Sequence, residues 1–263
     1  MRKTTLILSC VGILMFMWSV GAVGQEDESN SRLFVIHEDV VMPARVAEYE
    51  QAIKTVLVKL NELKMTSLRH VVTVSEDFHY AYIAEIDNMA ALDNDPWDEL
   101  EKKMGKEAWD EMWKGYDNTY AMHHDFLARL RPNLSYDPKN ASMGSEEMTF
   151  RHWDYYYVDP DEGDTAREIA KEWKALYESK GVPTGYRLYT GGLGTEVPLY
   201  VVVQWASNAA EYEAQNAKAL EMLGEEGQAL MQRTLAISRR VESKNGWLRP
   251  DLSYMPPEEI TAK

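Results

Sequence analysis

The sequence contains a single cysteine, Cys10, in a chain of 263 residues. This cysteine lies inside an N-terminal apolar run, residues 6–20, which follows two basic residues and precedes a small-x-small pattern at 22–24. We therefore predict that residues 1–24 are a secretory signal peptide, with an uncleaved membrane anchor as the alternative. After cleavage no thiol remains, which excludes disulfides, a cysteine nucleophile and cysteine metal ligands.

Positive charge is also scarce. The chain has 28 Lys and Arg residues against 43 Asp and Glu residues, and its net charge of −15 becomes −17 without the two basic residues of the signal peptide. A protein of this charge repels phosphate backbones and anionic lipid headgroups. We therefore predict an exported protein, periplasmic or extracellular, with no nucleic-acid partner and no membrane contact after cleavage. A small molecule is the expected partner, and a homodimer is possible.

One seven-residue motif occurs twice in the chain with a single difference, as LRPNLSY at residues 130–136 and as LRPDLSY at residues 248–254. Other anchors repeat at offsets of 115 to 120 residues, namely Tyr80 and Tyr200, Arg69 and Arg187, and the His-x-Asp triplets that begin at His37 and His152. A fixed internal period indicates two copies of one structural unit.

The repeat and a Gly, Pro, Asn and Ser-rich boundary segment define the predicted domain organisation. It consists of the signal peptide 1–24, a disordered leader 25–31, a first repeat 32–136, a linker 137–147, a second repeat 148–254 and a tail 255–263.

Hydrophobic periodicity predicts the same order of elements in both repeats. In the first we expect strands at 33–41, 68–74 and 78–86, a helix that opens at Pro43, a helical region that ends with a helix over 106–130, and a short strand at 134–136. In the second we expect strands at 150–158, 185–190 and 199–206, a helix at 165–179, and two more helices before residue 248. This order predicts an α+β fold of two fused ferredoxin-like βαββαβ units.

The first strand and the segment MPARVAEY at residues 42–49 resemble the opening of the dimeric α/β-barrel superfamily. This group holds NIPSNAP-like proteins, antibiotic-biosynthesis-type monooxygenases and stress-responsive barrel proteins, and the resemblance covers most of both repeats in order. It implies that the chain is a pseudo-dimeric α/β barrel whose two sheets face each other across a cavity. Some members are cofactor-free oxygenases and others bind or degrade haem. Haem is therefore a possible cofactor, although none is predicted.

The alternation of side chains along the strands predicts which candidate catalytic and ligand-binding residues face that cavity. His37 and Asp39 share one face of the first strand, and we expect the opposite, apolar face to cover the helices. By the same argument His152 and Asp154 face the cavity from the second repeat, so the four are the candidate catalytic residues. The candidate ligand-binding residues are Arg69, Tyr80, Tyr82, Tyr156, Arg187, Tyr189, Tyr200 and Gln204.

An aromatic pocket with a few polar groups is typical of a small-molecule site. The leading prediction is therefore a protein that binds an aromatic or hydrophobic ligand. An alternative is a cofactor-independent monooxygenase in which a His/Asp couple takes a proton from a phenol or enol. Haem binding or degradation, with His70 or His79 as axial ligand, is a third possibility, and a non-catalytic interaction module is a fourth.

No metal site is predicted, although convergence of the four candidate catalytic residues on one divalent ion is an alternative. The adjacent pair His123 and His124 falls in the helix predicted over 106–130, where neighbouring residues point in different directions. We therefore expect that pair to lie at the surface.

Overall fold

Eight strands in the computed structural model of the protein pair in antiparallel fashion into one closed barrel. The structure describes residues 30–138 and 148–256, so the predicted signal peptide and most of the predicted leader, linker and tail lie outside the described residues. The strands are β1 (Arg32–Val41), β2 (Val71–Ser75), β3 (His79–Ile86), β4 (Tyr120–Leu130), β5 (Phe150–Val158), β6 (Arg187–Gly191), β7 (Leu199–Ala206) and β8 (Ser238–Leu248). The helices are α1 (Val46–Glu62), α2 (Trp97–Met104), α3 (Lys106–Trp113), α4 (Gly163–Lys180) and α5 (Ala209–Ala236).

The strand order is the same in the two halves of the barrel. It runs β4-β1-β3-β2 in the first half and β8-β5-β7-β6 in the second. Two pairings close the barrel, β2 with β8 and β4 with β6, so neither half retains an open edge. The antiparallel α/β barrel that the sequence predicts is thereby confirmed.

Two predicted helices are partly strands. The helix expected over 106–130 ends at Trp113, and after a short 3-10 turn the chain becomes β4. The spacing of aromatic residues at three and four holds through the turn at Tyr116, but from Tyr120 onward successive side chains alternate between the faces of the sheet. The second missed strand, β8, has a mostly polar sequence, SRRVESKNGWL, and so gives little hydrophobic periodicity.

The short strand expected at residues 134–136 reduces to one bridge between Tyr136 and Tyr186. That bridge belongs to a contact between the halves, formed by residues 131–136 and 249–254, which we call the reciprocal clasp. After β4 the chain crosses to the second half, where Tyr136 and Tyr186 exchange backbone hydrogen bonds of 3.0 and 2.9 Å. After β8 it crosses to the first half, where Tyr254 and His70 exchange two bonds of 2.9 Å. Each copy of the duplicated sequence motif therefore bonds the half that it follows to the other half.

Side chains of the reciprocal clasp repeat the same contacts in both copies. The Ser135 hydroxyl accepts a bond from the backbone N–H of Leu188 in β6, and the Ser253 hydroxyl accepts one from Val72 in β2, each at 2.9 Å. The buried Tyr254 hydroxyl lies within hydrogen-bond distance of two carbonyl oxygens, 3.2 Å from that of Leu60 in α1 and 2.7 Å from that of Met65 just after α1, and it donates to the nearer one. Buried polar groups held in this way specify one arrangement of the two halves.

The helices cover the face of each sheet that points away from the barrel axis. In the first half, Tyr49 and Ile53 of α1 pack on Val41 and Val72 of the sheet. In the second half, Ala170 of α4 and residues of α5 pack on β6. Alternate residues of every strand therefore face either the helices or the barrel interior. None of the described helices is both long and apolar enough to cross a membrane.

Removal of one hydroxyl from the reciprocal clasp is expected to destabilise the whole barrel. Tyr254→Phe removes the hydroxyl donor of the Met65 carbonyl oxygen, whereas the Leu60 carbonyl oxygen keeps its bond from the Met65 N–H. The free energy of unfolding should therefore fall by about 1–2 kcal/mol in urea denaturation. Tyr157→Phe is the control, because that hydroxyl contacts only the charged side chains of Glu242, at 3.4 Å, and Arg240 and no backbone group of the clasp. Equal losses in the two variants would contradict the role of the clasp.

Candidate functional site

Both His-Asp couples lie on the helix-facing side of the sheets, and the prediction that they face a cavity between the sheets is wrong. Asp39 accepts a 2.5 Å hydrogen bond from the Tyr49 hydroxyl of α1. Phe34, on the other face of β1, packs edge-on against Tyr189 of the second half, with 5.9 Å between ring centres. The helix-facing side can hold a buried carboxylate because the Tyr49 hydroxyl bonds one of its oxygens and His37 lies beside the other, whereas aromatic residues of both sheets meet in the interior.

The two couples are also not structural counterparts. The pairing irregularity near the end of β1 falls at Val40/Val41, and the one in β5 falls at Tyr157/Val158, 117 residues later. At the same offset, His37 corresponds to Asp154 (154 − 37 = 117), so the triplets are displaced by two residues along the strand. The chain therefore contains two separate and different sites, and the four residues do not converge on one ion.

The first site is centred on His37 of β1. Its Nδ1 lies 2.9 Å from Asp125 Oδ1 on β4, and its Nε2 lies 3.3 Å from Asp39 Oδ1. The Tyr49 hydroxyl bonds Asp39 Oδ2 and lies 2.8 Å from the Tyr82 hydroxyl on β3. An imidazole thus sits between two carboxylates, one of which is fixed from behind by a pair of phenols.

Charge in the first site favours protonated His37. The hydrogen bond and charge of Asp39 raise the pKa of His37 the most, and Asp125 raises it further. Burial lowers this pKa, but the carboxylates outweigh burial and the pKa is raised to about 9. Burial, with the neighbouring Tyr82 and Asp39, raises the pKa of Tyr49 far above its ordinary value. Tyr49 therefore remains a hydrogen-bond donor to Asp39 at any physiological pH.

An open cleft of about 1700 Å³ adjoins the first site. Its walls are β1, β3, α1 and the aromatic segment around α2 and α3, where Trp113 lies about 5.3 Å from both Trp109 and Tyr116. The predicted ligand-binding residues Arg69 and Tyr82 line this cleft. Tyr80 is buried behind it and donates a hydrogen bond of 2.9 Å to Glu50.

The second site is centred on His152 of β5. Its Nε2 lies 3.2 Å from Asp154 Oδ1, and its Nδ1 lies 2.7 Å from Asn245 Oδ1 on β8. Asp154 Oδ1 also accepts a bond of 2.5 Å from Ser243. The ring of Tyr212 from α5 stacks on His152, with centres 4.5 Å apart. Burial alone would lower the pKa of His152, but the bonds to Asp154 and Asn245 outweigh it and raise that pKa.

A cavity of about 460 Å³ opens from the second site between the sheet and α4 and α5. Its walls are mostly apolar and aromatic, and the predicted residues Tyr156, Tyr200 and Gln204 line it together with the His152/Asp154 couple. The space exists because α4 carries Ala166 and Ala170 where α1, 117 residues earlier, carries Tyr49 and Ile53. The volume is typical of a small-molecule site.

Besides the buried Tyr80, two predicted ligand-binding residues line neither cavity. Arg187 and Tyr189 of β6 face the barrel interior, where Arg187 lies over the ring of Trp205 at 5.8 Å and Tyr189 meets Phe34. On the other side of β7, β5 places Trp153 and Tyr155 on that same interior side, in register with Arg187 and Tyr189. The prediction of one pocket between the sheets grouped these interior residues with residues of the two outer sites.

Sequence reasoning missed the cross-strand partners of both histidines. His123 and Asp125 lie on β4, directly opposite Asp39 and His37 in the strand register. They were hidden by the predicted helix over 106–130, and Ser243 and Asn245 were hidden because β8 was not recognised as a strand. In β4 the alternation of His123, Asp125 and Leu127 on one face was the available signal.

Comparison with known proteins identifies the fold but no family. No protein-family model and no curated protein sequence matches the chain. An anthrone oxidase-like protein matches with a TM-score of 0.52 and 12% identity over 83% of this chain and 91% of that chain. A proposed monooxygenase from Fusobacterium nucleatum subsp. nucleatum ATCC 25586 matches with 0.51 and 12% over 82% and 92%. Identity this low shows a shared α/β-barrel fold alone.

A weaker likeness is to a mutant chlorite dismutase from Candidatus Nitrospira defluvii. The TM-score is 0.47 at 9% identity, over 83% of this chain and 92% of that chain.

The charge state of His37 gives a pH-dependent prediction. In chelator-treated protein, NMR titration should give a His37 pKa of about 9, and Asp125→Asn should lower it without returning it to 6.5, because Asp39 remains.

The folded pKa of His37 lies above the unfolded value, so this histidine stabilises the fold below about pH 6.5 and loses that effect as pH rises through about 9. The stability difference between wild type and His37→Gln should therefore be larger at about pH 6 than at about pH 10. A difference independent of pH would contradict this.

Proposed function

We propose that this protein binds a small aromatic molecule with an acidic hydroxyl or activated methylene group in the second site and oxidises it with dioxygen. The observation that carries the proposal is the position of the His152/Asp154 couple in the wall of the 460 Å³ cavity. Apolar walls exclude water from a planar ligand, and the couple supplies the polar group that such a ligand needs.

The couple is suited to take a proton from the ligand. With its pKa raised, neutral His152 is a stronger base than free imidazole, and after protonation it is a more stable cation beside ionised Asp154. Stacked Tyr212 and the bond to Asn245 hold the ring in place. The positive charge then stabilises the phenolate or enolate, the electron-rich form that reacts with dioxygen.

The proposed reaction balances without a further reductant. A methylene flanked by aromatic rings loses two hydrogens and gains one oxygen atom as a carbonyl, and the other oxygen atom leaves with those hydrogens as water. The substrate supplies the four electrons that dioxygen takes up. The names of two proteins that share this fold, anthrone oxidase-like and proposed monooxygenase, agree with a reaction of this class.

Haem is the cofactor that the superfamily resemblance implies for some members, and His70 is the residue to test. Burial lowers the pKa of His70 to about 4, and its hydrogen bond to the Leu252 backbone leaves Nε2 with a lone pair. However, Nε2 is buried, with the Tyr82 ring packed edge-on 5.4 Å away. His70 therefore does not fit the role of an axial ligand in this arrangement, and we derive no step through haem. A haem absorption band in protein purified from cells would contradict this conclusion.

The proposal extends to the origin and location of the chain. We infer that the two halves are ferredoxin-like units fused after a gene duplication into a pseudo-dimer, with the domain limits 32–136 and 148–254. The reciprocal clasp supports this inference, because the two copies of the repeated motif make equivalent backbone hydrogen bonds to the opposite halves. Export through cleavage after residue 24 is part of the proposal, and N-terminal sequencing of the secreted or periplasmic protein tests it.

Loss of the couple should abolish oxidation without abolishing folding. With a panel of anthrones and quinols in the presence of a chelator, His152→Ala and Asp154→Asn should each lower the rate of oxygen consumption at least about 100-fold. His124→Gln is the control, because this histidine lies on β4 outside both sites. Oxidation that persists in both site variants, or that stays at the buffer rate in wild type for the whole panel, would overturn the proposed reaction.

The pH dependence of kcat/KM should follow the neutral form of His152. Because the proton-accepting imidazole must be unprotonated, the rate should increase with pH through an apparent pKa above 6.5. Asp154→Asn should move that midpoint downward, since it removes the charge that favours the imidazolium. A profile that falls over this range would exclude His152 as the base.

Filling the cavity separates ligand binding from proton transfer. Ala166→Tyr gives α4 the residue that α1 has at the corresponding position, and the larger side chain should occupy the space of the ligand. Binding of a fluorescent anthrone or quinol analogue should be lost while the urea midpoint stays near that of wild type. Unchanged binding in a folded Ala166→Tyr protein would place the ligand elsewhere.

A further inference from the structure

Three side chains of the types that ligate metal ions meet in the first site. The ring nitrogens of His37 and His123 and a carboxylate oxygen of Asp39 all lie within 4.8 Å of one another. The register of β1 and β4 places Asp39 directly opposite His123, so the backbone holds the group together. From this geometry we propose that the first site binds one divalent first-row transition-metal ion through His37 Nε2, Asp39 Oδ1 and a ring nitrogen of His123.

The buried carboxylate of Asp39 is the strongest single observation. Asp39 is only 5% exposed, and its Oδ1 makes no hydrogen bond of good geometry, its polar neighbour being His37 Nε2 at 3.3 Å. A buried carboxylate oxygen without a well-formed hydrogen bond is costly, and a metal ion held between this oxygen and a neutral His37 ring would remove that cost. Oδ1 lies 3.3 Å from His37 Nε2, the separation expected for two ligands about 2.1 Å from one ion at an angle of about 100°.

The atoms of His37 and Asp39 that point away from the proposed ion already have hydrogen-bond partners. Asp125 binds His37 Nδ1 at 2.9 Å, which leaves Nε2 to face the ion, and Tyr49 binds Asp39 Oδ2, which leaves Oδ1. Such outer contacts, above all a carboxylate on the far nitrogen of a histidine, are typical of metal sites. His123 is exposed and stacks on Tyr120, and one of its ring nitrogens already lies within 4.8 Å of the other two ligand atoms.

Two imidazoles and one carboxylate occupy three positions and leave the others open. His37, Asp39 and His123 all border the 1700 Å³ cleft, so water or a small ligand can reach the open positions. This donor set is the one used for Fe(II) in non-haem oxygenases, and it also binds Co(II) and Zn(II). Iron is therefore the expected resident metal, and Co(II) and Zn(II) are practical probes.

The second half does not repeat the group. Its counterparts, 117 or 118 residues later in β5 and β8, are Asp154 for His37, Tyr156 for Asp39, Val241 for His123 and Ser243 for Asp125. A tyrosine and a valine replace two of the three ligands. We therefore expect one ion per chain, in the first half only. This inference goes beyond the proposed oxidation, which uses the other cavity.

Titration of chelator-treated, tag-free protein with Zn(II) and with Co(II) tests the proposal. Calorimetry should give one ion per chain, and bound Co(II) should produce visible absorption bands and shift or broaden the imidazole NMR signals of His37 and His123. His123→Ala should weaken binding at least tenfold, and Asp125→Asn by about 10- to 100-fold through the outer contact. His123 and Asp125 are exposed, so both variants are expected to fold.

Controls come from the same strand and from the other site. His124→Gln changes the neighbouring histidine on the opposite face of β4, and His152→Ala changes the second site; both should bind metal as wild type does. Absence of binding, a stoichiometry of two, full binding by His123→Ala, or an equal loss in the controls would overturn the metal site. None of these outcomes depends on oxygen consumption, so the metal site and the proposed oxidation can fail independently.

Discussion

The backbone exchange that joins residues 131–136 to β6 and residues 249–254 to β2 is the constraint on which the rest of the structure depends. Arg131 donates to the Leu188 carbonyl at 2.9 Å, and Arg249 donates to the Val72 carbonyl at 2.8 Å. These bonds follow directly after the β4–β6 and β8–β2 pairings that close the barrel, and they continue the contact between the halves beyond the ends of β4 and β8. Because each half completes the other, neither sheet has a free edge and each has one face left for helices.

Closure also decides where a ligand can bind. The interior of the barrel receives side chains from both sheets, such as Phe34 of the first against Tyr189 of the second, and polar pairs within one sheet, such as Glu38 with His79 at 2.9 Å. The two cavities described above lie outside the barrel wall, each between one sheet and its own helices. A sheet therefore separates each site from the interior, and the two sites can differ in lining and chemistry without disturbing each other.

The sequence predicts much of the fold because several signals agree. Alternation and helical spacing locate β1, β7, α1 and α4 to within a few residues, and the repeated phrase indicates two units. The side of the sheet that each residue faces could not be predicted from β1 alone, because Phe34 and His37 lie on opposite faces and either face could cover helices. Only the hydroxyl of Tyr49, ten residues further along the chain, makes Asp39 acceptable on the helix side. Such a contact between elements leaves no periodic signal.

The displaced triplets show how one fold can hold two kinds of site. A shift of two residues keeps every side chain on its face of the strand but changes the cross-strand neighbour. His37 thereby meets Asp125, whereas His152 meets Asn245, so the first histidine lies between two carboxylates and the second between a carboxylate and an amide. The first environment favours a cation, either a proton or a metal ion. The second leaves an imidazole beside an apolar cavity, where it can give up and take back a proton. The difference in chemistry therefore follows from register and from the neighbours it selects, with the same two residue types at the centre of both sites.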